Sequence, residues 1–336
     1  MVNATVLMNL QHVALADTGT NDTSRYTIPR EGCPFLPWNL ERIQEDTVSI
    51  NGQLSKTDDP VVTGSGVHIY VIDTGIVPHI DFGSRIGQGL DCTRGGECRL
   101  DNELTDALGH GTAVASQISG TCLGVAPGAT IHPVRVIDSN GNGSLQSIIN
   151  GIRWATETSK ANGWRGVINI SLTSPASQEI NEAVAKAVEQ GMVVVTAAGN
   201  QGSDACEYSP GSSPSSLTVG ATKIGYDDDV LVDDVSLLSN TGRCVTVYAP
   251  GEDIPSASNM PENGTKVYNQ IVTLSGTSQA APLVSGAAAL YLETHPSATP
   301  EELIEAIQDA SLVFDSNQSK SQKDACCTIL NIQNLS

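Results

Sequence analysis

Residues 67–72, VHIYVI, form a short β-rich run that ends on Asp73. Outward from it, similar apolar runs alternate with helical segments, which is the pattern of successive βαβ units. The alternating segments are VHIYVI (67–72), AVASQIS (113–119), IHPVRVI (131–137), LQSIINGIRWAT (145–156), VINISL (167–172), INEAVAKAVEQ (180–190) and MVVVTAAG (192–199). They predict an α/β fold in three layers, a mostly parallel sheet with helices on both faces.

Polar residues stand where three of these strands end. Asp73 follows VHIYVI, Ser171 lies in NISL and Asn200 follows AAG. Sites in open parallel sheets lie at the carboxyl ends of strands, so we expect a functional site at this edge. Taken singly, Asp73 before Thr74-Gly75 is better explained as a capping or turn aspartate, and Asn200 after Gly199 could be only a turn residue.

The chain is strongly acidic. Its 336 residues include 17 basic and 37 acidic side chains, which give a formal charge of −20. Such a balance repels nucleic-acid phosphate and anionic lipid, so neither nucleic acid nor a membrane is expected as a partner.

Cysteines and sequons indicate secretion. The eight cysteines are an even number, and the seven Asn-x-Ser/Thr sequons begin at Asn3, Asn21, Asn142, Asn169, Asn263, Asn317 and Asn334. The N-terminal MVNATVLMNLQ lacks the basic start and long apolar middle of a signal peptide, so we expect the N-terminus to be incomplete.

The stretch GTSQAAP, residues 276–282, precedes an apolar run that suits a buried helix. Because proline is tolerated only near the start of a helix, Pro282 places Ser278 at the helix N-terminus. One interpretation of Ser278 is an N-cap. The other is a nucleophile whose oxyanion is stabilised by free N–H groups and the helix dipole.

His110 is the histidine best placed to act as a base. GHGT flanks it with glycines just before a helical segment, whereas each of the other five has an ordinary structural setting: His12, His68, His79, His132 and His295. A strand-end Asp, a glycine-flanked His, a strand-end Asn and a Ser at a helix start are the parts required for acyl transfer.

The blocks VIDTG, GHGT, AAGN and SGTSQAAP, in this order, resemble the four signature blocks of the subtilisin-like serine peptidases. The resemblance runs from PWNLERI at 37 to EELIEAIQDA at 301, and ACEYSPGSSPSSLTVGAT is most similar to the proteinase K branch. It implies a subtilisin-like peptidase domain over residues 37–336. Residues 1–36 are then a remnant of a leader or propeptide together with an N-terminal arm.

The resemblance also implies roles for the four residues. Ser278 is the nucleophile, and His110 is the general base and then the acid. Asp73 orients and supports the imidazolium, while Asn200 donates to the oxyanion beside the N–H of Ser278. No cofactor is required for this chemistry, although structural calcium stays open.

By the same resemblance, substrate adds as a β-strand between two edge segments. The residues implied in substrate binding are Gly141, Asn142, Gly143, Leu145, Ile148, Ser171, Leu172, Thr173, Ala198 and Gly199. The expected protein is a monomer that cuts polypeptides broadly with an apolar preference and is inhibited by its own propeptide.

Four positions depart from the family pattern. Gln279 replaces a methionine and Ala113 a histidine, both away from the chemistry. Thr173 and Ser174 replace paired glycines near the first specificity pocket, and Thr246 replaces the aspartate of a common calcium site.

Two other features concern metal and disulfides. DSNGNG, residues 138–143, begins like a calcium loop but has Ile149 where the bidentate glutamate belongs, which argues against one. The acidic segment 227–234 could hold calcium or be a solvated loop.

Family position pairs Cys206 with Cys244, and Cys92 and Cys98 are close enough to close a small loop. The remaining four stay unassigned: Cys33, Cys122, Cys326 and Cys327.

The leading hypothesis is a secreted serine endopeptidase. The alternative is a self-processed binding protein, because PWNLERI and GTSQAA also resemble a cholesterol-regulating convertase that acts mainly by binding. A dead enzyme kept as a scaffold is disfavoured because all four catalytic positions are filled. Turnover of a substrate in trans separates the first two.

Overall fold

A computed structural model of the chain describes residues 33–48, 50, 62–94, 97–101, 103–227, 230–261, 265, 267–314, 327–332 and 335. The helices in these ranges are α1 (Trp38–Arg42), α2 (His110–Ser119), α3 (Leu145–Asn162), α4 (Gln178–Glu189), α5 (Thr277–Thr294) and α6 (Pro300–Ala310). None of them is both long and apolar enough to cross a bilayer.

The strands alternate with the helices through the first two thirds of the described chain. They are β1 (Val67–Asp73), β2 (Gly89–Arg94), β3 (Glu97–Asp101), β4 (Thr130–Arg135), β5 (Arg165–Ile170), β6 (Ser174–Pro175), β7 (Val193–Ala197), β8 (Tyr208–Ser209), β9 (Leu217–Asp227), β10 (Val230–Val235), β11 (Val247–Pro250), β12 (Ile254–Ala257), β13 (Ile271–Leu274), β14 (Leu312–Phe314) and β15 (Cys327–Ile329).

One large sheet dominates the fold. Its order is β14-β15-β11-β9-β7-β5-β1-β4-β2-β3, with β10 paired to β9. All neighbours from β15 to β2 are parallel, whereas β3, β10 and β14 are attached antiparallel. The sheet is therefore mostly parallel, as the alternating segments predict.

The two faces of the sheet bury two hydrophobic cores. Val67, Ile69 and Val71 of β1 pack with apolar residues of α2, α5 and α6, while Tyr70 and Ile72 pack on the opposite side with α3 and α4. This alternation follows from the two-residue period of a strand. The result is the three-layer α/β architecture expected from the sequence.

The N-terminal part of the described chain is tied to this domain. Leu36 and Leu40 are buried in the first core, and the Arg42 guanidinium forms a buried ion pair with Asp233 at 3.0 and 3.1 Å through Nε. Residues 1–32, which include most of the predicted leader, lie outside the described residues.

Candidate active site

Strand register brings the polar strand ends together. Ile72 of β1 lies beside Ile170 of β5, so Asp73 and Ser171 occupy the next position on neighbouring strands. Ile170 in turn pairs with Thr196 of β7, and the chain leaves β7 into the turn that carries Asn200. The three predicted residues therefore share one edge of the sheet.

His110 is held against Asp73. It is the first residue of α2, and its Nδ1 lies 2.7 Å from Oδ1 of the fully buried Asp73. Because a carboxylate can only accept, Nδ1 carries the proton and the neutral imidazole presents the lone pair of Nε2. The Thr74 N–H also donates to Asp73 Oδ1, at 2.8 Å.

Charge keeps His110 basic in spite of burial. Burial lowers its pKa, but the charge of Asp73, the hydrogen bond to Asp73 and the charge of Asp106 outweigh that effect. The net result is a pKa above the ordinary value of 6.5. His110 can therefore take up a proton more readily than a free imidazole.

Asp106 is a buried carboxylate that lies outside the four sequence motifs. Its Oδ1 accepts the Thr74 hydroxyl and the Gly109 N–H, both at 2.8 Å. Its Oδ2 accepts the Thr112 N–H at 2.9 Å and the Thr112 hydroxyl at 2.7 Å. Because Gly109, the N-cap residue of α2, has no side chain, Asp106 caps the helix in its place.

Thr74 completes this attachment of α2 to β1. Its Oγ1 accepts the Gly111 N–H at 2.8 Å while donating to Asp106. The first turn of α2 is thus bonded to the residue that follows Asp73, which fixes His110 against Asp73. The available sequence signal was an aspartate four residues before His110.

Helix α5 begins at Thr277, with Gly276 as its N-cap residue, so the N-cap interpretation of Ser278 is wrong. Pro282 is the sixth residue of the helix, further inside than the sequence predicted. Its missing N–H deprives the Ser278 carbonyl of its usual partner four residues on. The Ser171 hydroxyl donates to that carbonyl at 3.1 Å, which explains how the proline is accommodated.

The hydroxyl of Ser278 also contacts Ser171. Ser278 Oγ donates to the Ser171 carbonyl at 3.0 Å, and within the described residues no hydrogen bond joins it to His110. The structure therefore brings together Asp73 with His110 and Ser278 with Ser171, on adjacent strand ends. The hydroxyl must leave the Ser171 carbonyl before it can bond to Nε2.

Asn200 has one end of its amide fixed and the other free to donate. Its Oδ1 accepts the Thr277 N–H and the Thr277 hydroxyl, each at 2.8 Å, and this fixes the amide orientation. Gly276 has a φ of +142°, and a Cβ there would lie 2.7 Å from Asn200 Nδ2. The glycine of SGTS thus leaves room for this amide beside Ser278.

The predicted substrate-binding residues differ in access. The segment Gly141–Gly143 is at least partly exposed, and so is Leu145. Ile148, predicted with Leu145 to line an outer apolar pocket, is 1% exposed and packs in the second core, so little of its side chain is open to a substrate. Its role in substrate binding stays a prediction.

The second edge segment and the turn before Asn200 are buried. Ser171, Leu172 and Thr173 are 2%, 3% and 8% exposed. Ala198 and Gly199 are buried as well. These residues can meet a substrate chiefly through their backbone. Thr173 directly precedes β6, which pairs with β8.

One described side chain in each of the three places considered for calcium is already engaged, and residues 228 and 229 of the acidic segment lie outside the described residues. Asp138 Oδ1 accepts the N–H groups of Asn140 and Asn142, at 2.8 and 2.9 Å. Thr246 Oγ1 accepts the Thr218 N–H at 3.2 Å, and Asp233 is paired with Arg42. The described residues contain no group of three or more His, Cys, Asp or Glu side chains able to hold a metal ion.

Disulfides join Cys92 to Cys98 and Cys206 to Cys244, the pairs named from the sequence. A third joins Cys33 to Cys122, which the sequence left unassigned. Cys326 lies outside the described residues.

Comparison with known proteins adds independent information. Residues 64–326 match the model of the subtilase family. The chain is 44% identical over 272 residues to an extracellular serine proteinase of Thermus sp. (strain Rt41A), a match covering 80% of this chain and 60% of that protein. It is 38% identical over 267 residues to the alkaline serine exoprotease A of Vibrio alginolyticus, covering 79% of this chain and 45% of the relative.

A solved structure is similar over nearly its whole length. It is a cold adapted subtilisin-like serine proteinase with 33% sequence identity and a TM-score of 0.73, and the match covers 88% of this chain and 98% of that one. The chain therefore spans only 60% of the length of the Thermus relative and 45% of the length of the Vibrio relative.

Proposed function

The chain belongs to the subtilase family, and on that premise we propose that it is an extracellular serine endopeptidase that cuts polypeptides through an acyl-enzyme. The observation that carries the proposal is the 2.7 Å contact between His110 and Asp73, beside a Ser278 hydroxyl held on the next strand end. Relatives named as an extracellular serine proteinase and an alkaline serine exoprotease support polypeptides as the substrate class.

Attack begins when Ser278 rotates away from the Ser171 carbonyl toward His110. The hydroxyl oxygen then bonds to the substrate carbonyl carbon as its proton passes to Nε2. Asp73 retains the Nδ1–H and stabilises the positive imidazolium. The same charges that raise the pKa of His110 favour this transfer.

The oxyanion is stabilised by two donors at the N-terminus of α5. Asn200 Nδ2 is one, because its Oδ1 is occupied by Thr277 and the amide cannot turn without losing both bonds. The N–H of Ser278, in the first helical turn, is the other, since such groups have no intrahelical partner. Both act as preorganised dipoles.

Collapse of the tetrahedral intermediate completes acylation. His110 returns its proton to the leaving amine, and the acyl group stays on Ser278. Water then enters, gives up a proton to Nε2, and attacks the ester carbonyl. The bond between the acyl carbon and Ser278 Oγ breaks as His110 returns the proton to Oγ, and the carboxylic acid product leaves. Asp73 and the oxyanion donors serve both halves of the reaction.

Substrate docks by backbone pairing with the exposed Gly141–Gly143 segment and with Ser171–Thr173. No acidic residue occurs in segment 171–177, so a buried Arg or Lys of the substrate would lack a partner there. Apolar side chains before the scissile bond are therefore favoured. We further propose that the protein's own propeptide occupies this cleft before activation.

Hydrolysis in trans tests the proposal. Purified chain should release fluorescent peptides from labelled casein, and the Ser278→Ala and His110→Ala variants should not. Asp309→Asn, an exposed change on α6, serves as the control and should retain full activity. A folded wild-type chain that binds casein but never turns it over would contradict the proposal and favour the binding-protein alternative.

A further inference from the structure

Asn240 is a fully buried amide that the mechanism above does not use. It lies between β10 and β11, 40 positions after Asn200 along the chain. Its Nδ2 donates to the Ala198 carbonyl at 2.9 Å and to Gln201 Oε1 at 2.8 Å. Its Oδ1 accepts the N–H groups of Gln201 and Ser203, both at 3.0 Å.

The orientation of this amide is settled by its partners. A backbone carbonyl can only accept and a backbone N–H can only donate, so Nδ2 must face Ala198 and Oδ1 must face Gln201 and Ser203. The bonds at both ends of the amide agree on one orientation. Asn240 thus uses both its donors and its acceptor on a single turn.

These contacts bracket Asn200 on both sides. The Asn240 N–H also donates to the Gly199 carbonyl at 2.8 Å, so residues 198, 199, 201 and 203 are all bonded to it. The turn has no regular strand or helix pairing to hold its backbone. Other hydrogen bonds to its backbone come from Val219, Leu238, Thr241 and Thr277, and Asn240 adds bonds to four of its residues.

The approach of Asn240 also explains a glycine of the AAGN block. Gly199 has a φ of +105°, a region that favours glycine, and a Cβ there would lie 2.4 Å from Asn240 Nδ2. Any side chain at position 199 would push Asn240 away. The turn is therefore shaped around this amide.

We propose that Asn240 is a positioning residue that holds the 198–203 turn so that Asn200 Nδ2 meets the oxyanion. The inference rests on the proposed function, because it requires Asn200 to donate in the transition state. Thr277 fixes the amide of Asn200, and Asn240 fixes the backbone beneath it. A donor held in place needs no reorganisation during reaction, and a displacement of about 1 Å can cost about 100-fold in rate.

A double-mutant cycle tests this role. Asn240→Ala in the wild-type chain should lower kcat at least about tenfold with KM changed less than about twofold, and should weaken binding of a peptide boronic acid in parallel. In the Asn200→Ala background the same substitution should change kcat less than about twofold, because no side-chain donor remains to be positioned. Asn240→Ser repeats the cycle if the alanine variant does not fold.

Asn331→Ala is the matched control. Asn331 is also fully buried and donates to Asp46 at 3.1 Å, but it follows β15, three strands away from β7. The Asn331→Ala variant should have a lower unfolding temperature and an unchanged kcat. Equal losses of kcat from Asn240→Ala in both backgrounds, or no loss in either, would overturn the positioning role alone. Asn200→Ala without effect would overturn this inference and leave the proposed function standing, whereas an inactive wild-type chain would overturn the proposed function and the inference with it.

Discussion

In the described part of the structure, the Ser278 hydroxyl is hydrogen-bonded to Ser171 and not to His110. The hydroxyl donates to the Ser171 carbonyl, while His110 bonds to Asp73 through Nδ1. The proposed mechanism requires the hydroxyl to leave this carbonyl for Nε2. The cost is the loss of one hydrogen bond, about 1 kcal/mol, which a bound substrate can offset.

The pH dependence of activity follows from the charges around His110. As a base it must be neutral, so kcat/KM should fall as pH drops through its pKa, which lies above 6.5. Asp106→Asn removes one of the charges that raise this pKa and should move the acid limb of the profile to lower pH. The exposed Asp309→Asn change should leave the limb in place. An acid limb that does not move would show that Asp106 acts on structure alone.

Asn200→Ala should reduce kcat far more than it alters KM. An oxyanion donor acts only in the transition state, and its removal costs about 2.7–4 kcal/mol in a comparable enzyme. Steady-state kinetics on a fluorogenic peptide measure the split. A raised KM with unchanged kcat would instead make Asn200 a turn or binding residue.

The sequence located the residues proposed to react better than the residues that hold them. Asp73, His110, Asn200 and Ser278 stand at strand or helix ends in short motifs, where position along the chain already indicates a place at one edge of the sheet. Asn240 acts through buried hydrogen bonds to a distant turn, and Asp106 joins the nearby start of α2 to Thr74, 32 residues before it. No local pattern specifies such pairings, because they depend on how separate loops pack.

At the scale of elements, the sequence predicted the parallel strands and the helices between them. It did not predict the short strands that pair at the edge of the sheet or outside it. Helices α3 and α4 and strands β1, β5 and β7 carry strong apolar periodicity and form where the pattern places them. The hairpin of β2 and β3 is an edge feature with mixed polarity, and β12 and β13 are short. Their pairing is decided by neighbouring elements, which a local pattern does not contain.

The segment before β6 allows the proposed substrate specificity to be tested. Thr173 stands where the family has a glycine, so its side chain should narrow the first pocket and favour small apolar residues before the cut. Thr173→Gly should shift the preference before the scissile bond toward larger apolar and aromatic residues. Ala176→Gly, a change at an exposed position two residues after Ser174, should not. Profiling with a mixed peptide library measures this. Dominant cutting after Arg or Lys in the wild-type chain would contradict the apolar assignment.

At the scale of the whole molecule, one disulfide ties the start of the described chain to the loop after α2. Cys33 and Cys122 are 89 residues apart in sequence, whereas Cys92 and Cys98 are separated by 6. By loop-closure entropy, removing the long-range bridge should cost about 4–5 kcal/mol of unfolding free energy, and removing the short one about 2 kcal/mol. Paired Cys→Ser variants, made in the Ser278→Ala background to prevent self-digestion, are compared by denaturant unfolding. Equal losses of unfolding free energy from the two pairs would mean that loop-closure entropy does not determine how much each disulfide stabilises the fold.

The central claim is that Ser278 is the nucleophile, and covalent labelling tests it most directly. The native chain is treated with a fluorophosphonate, digested, and the modified peptide is identified by mass spectrometry. We predict a single adduct on Ser278, absent from Ser278→Ala and formed much more slowly in His110→Ala. An adduct on another serine, or unchanged labelling of folded Ser278→Ala, would contradict the account.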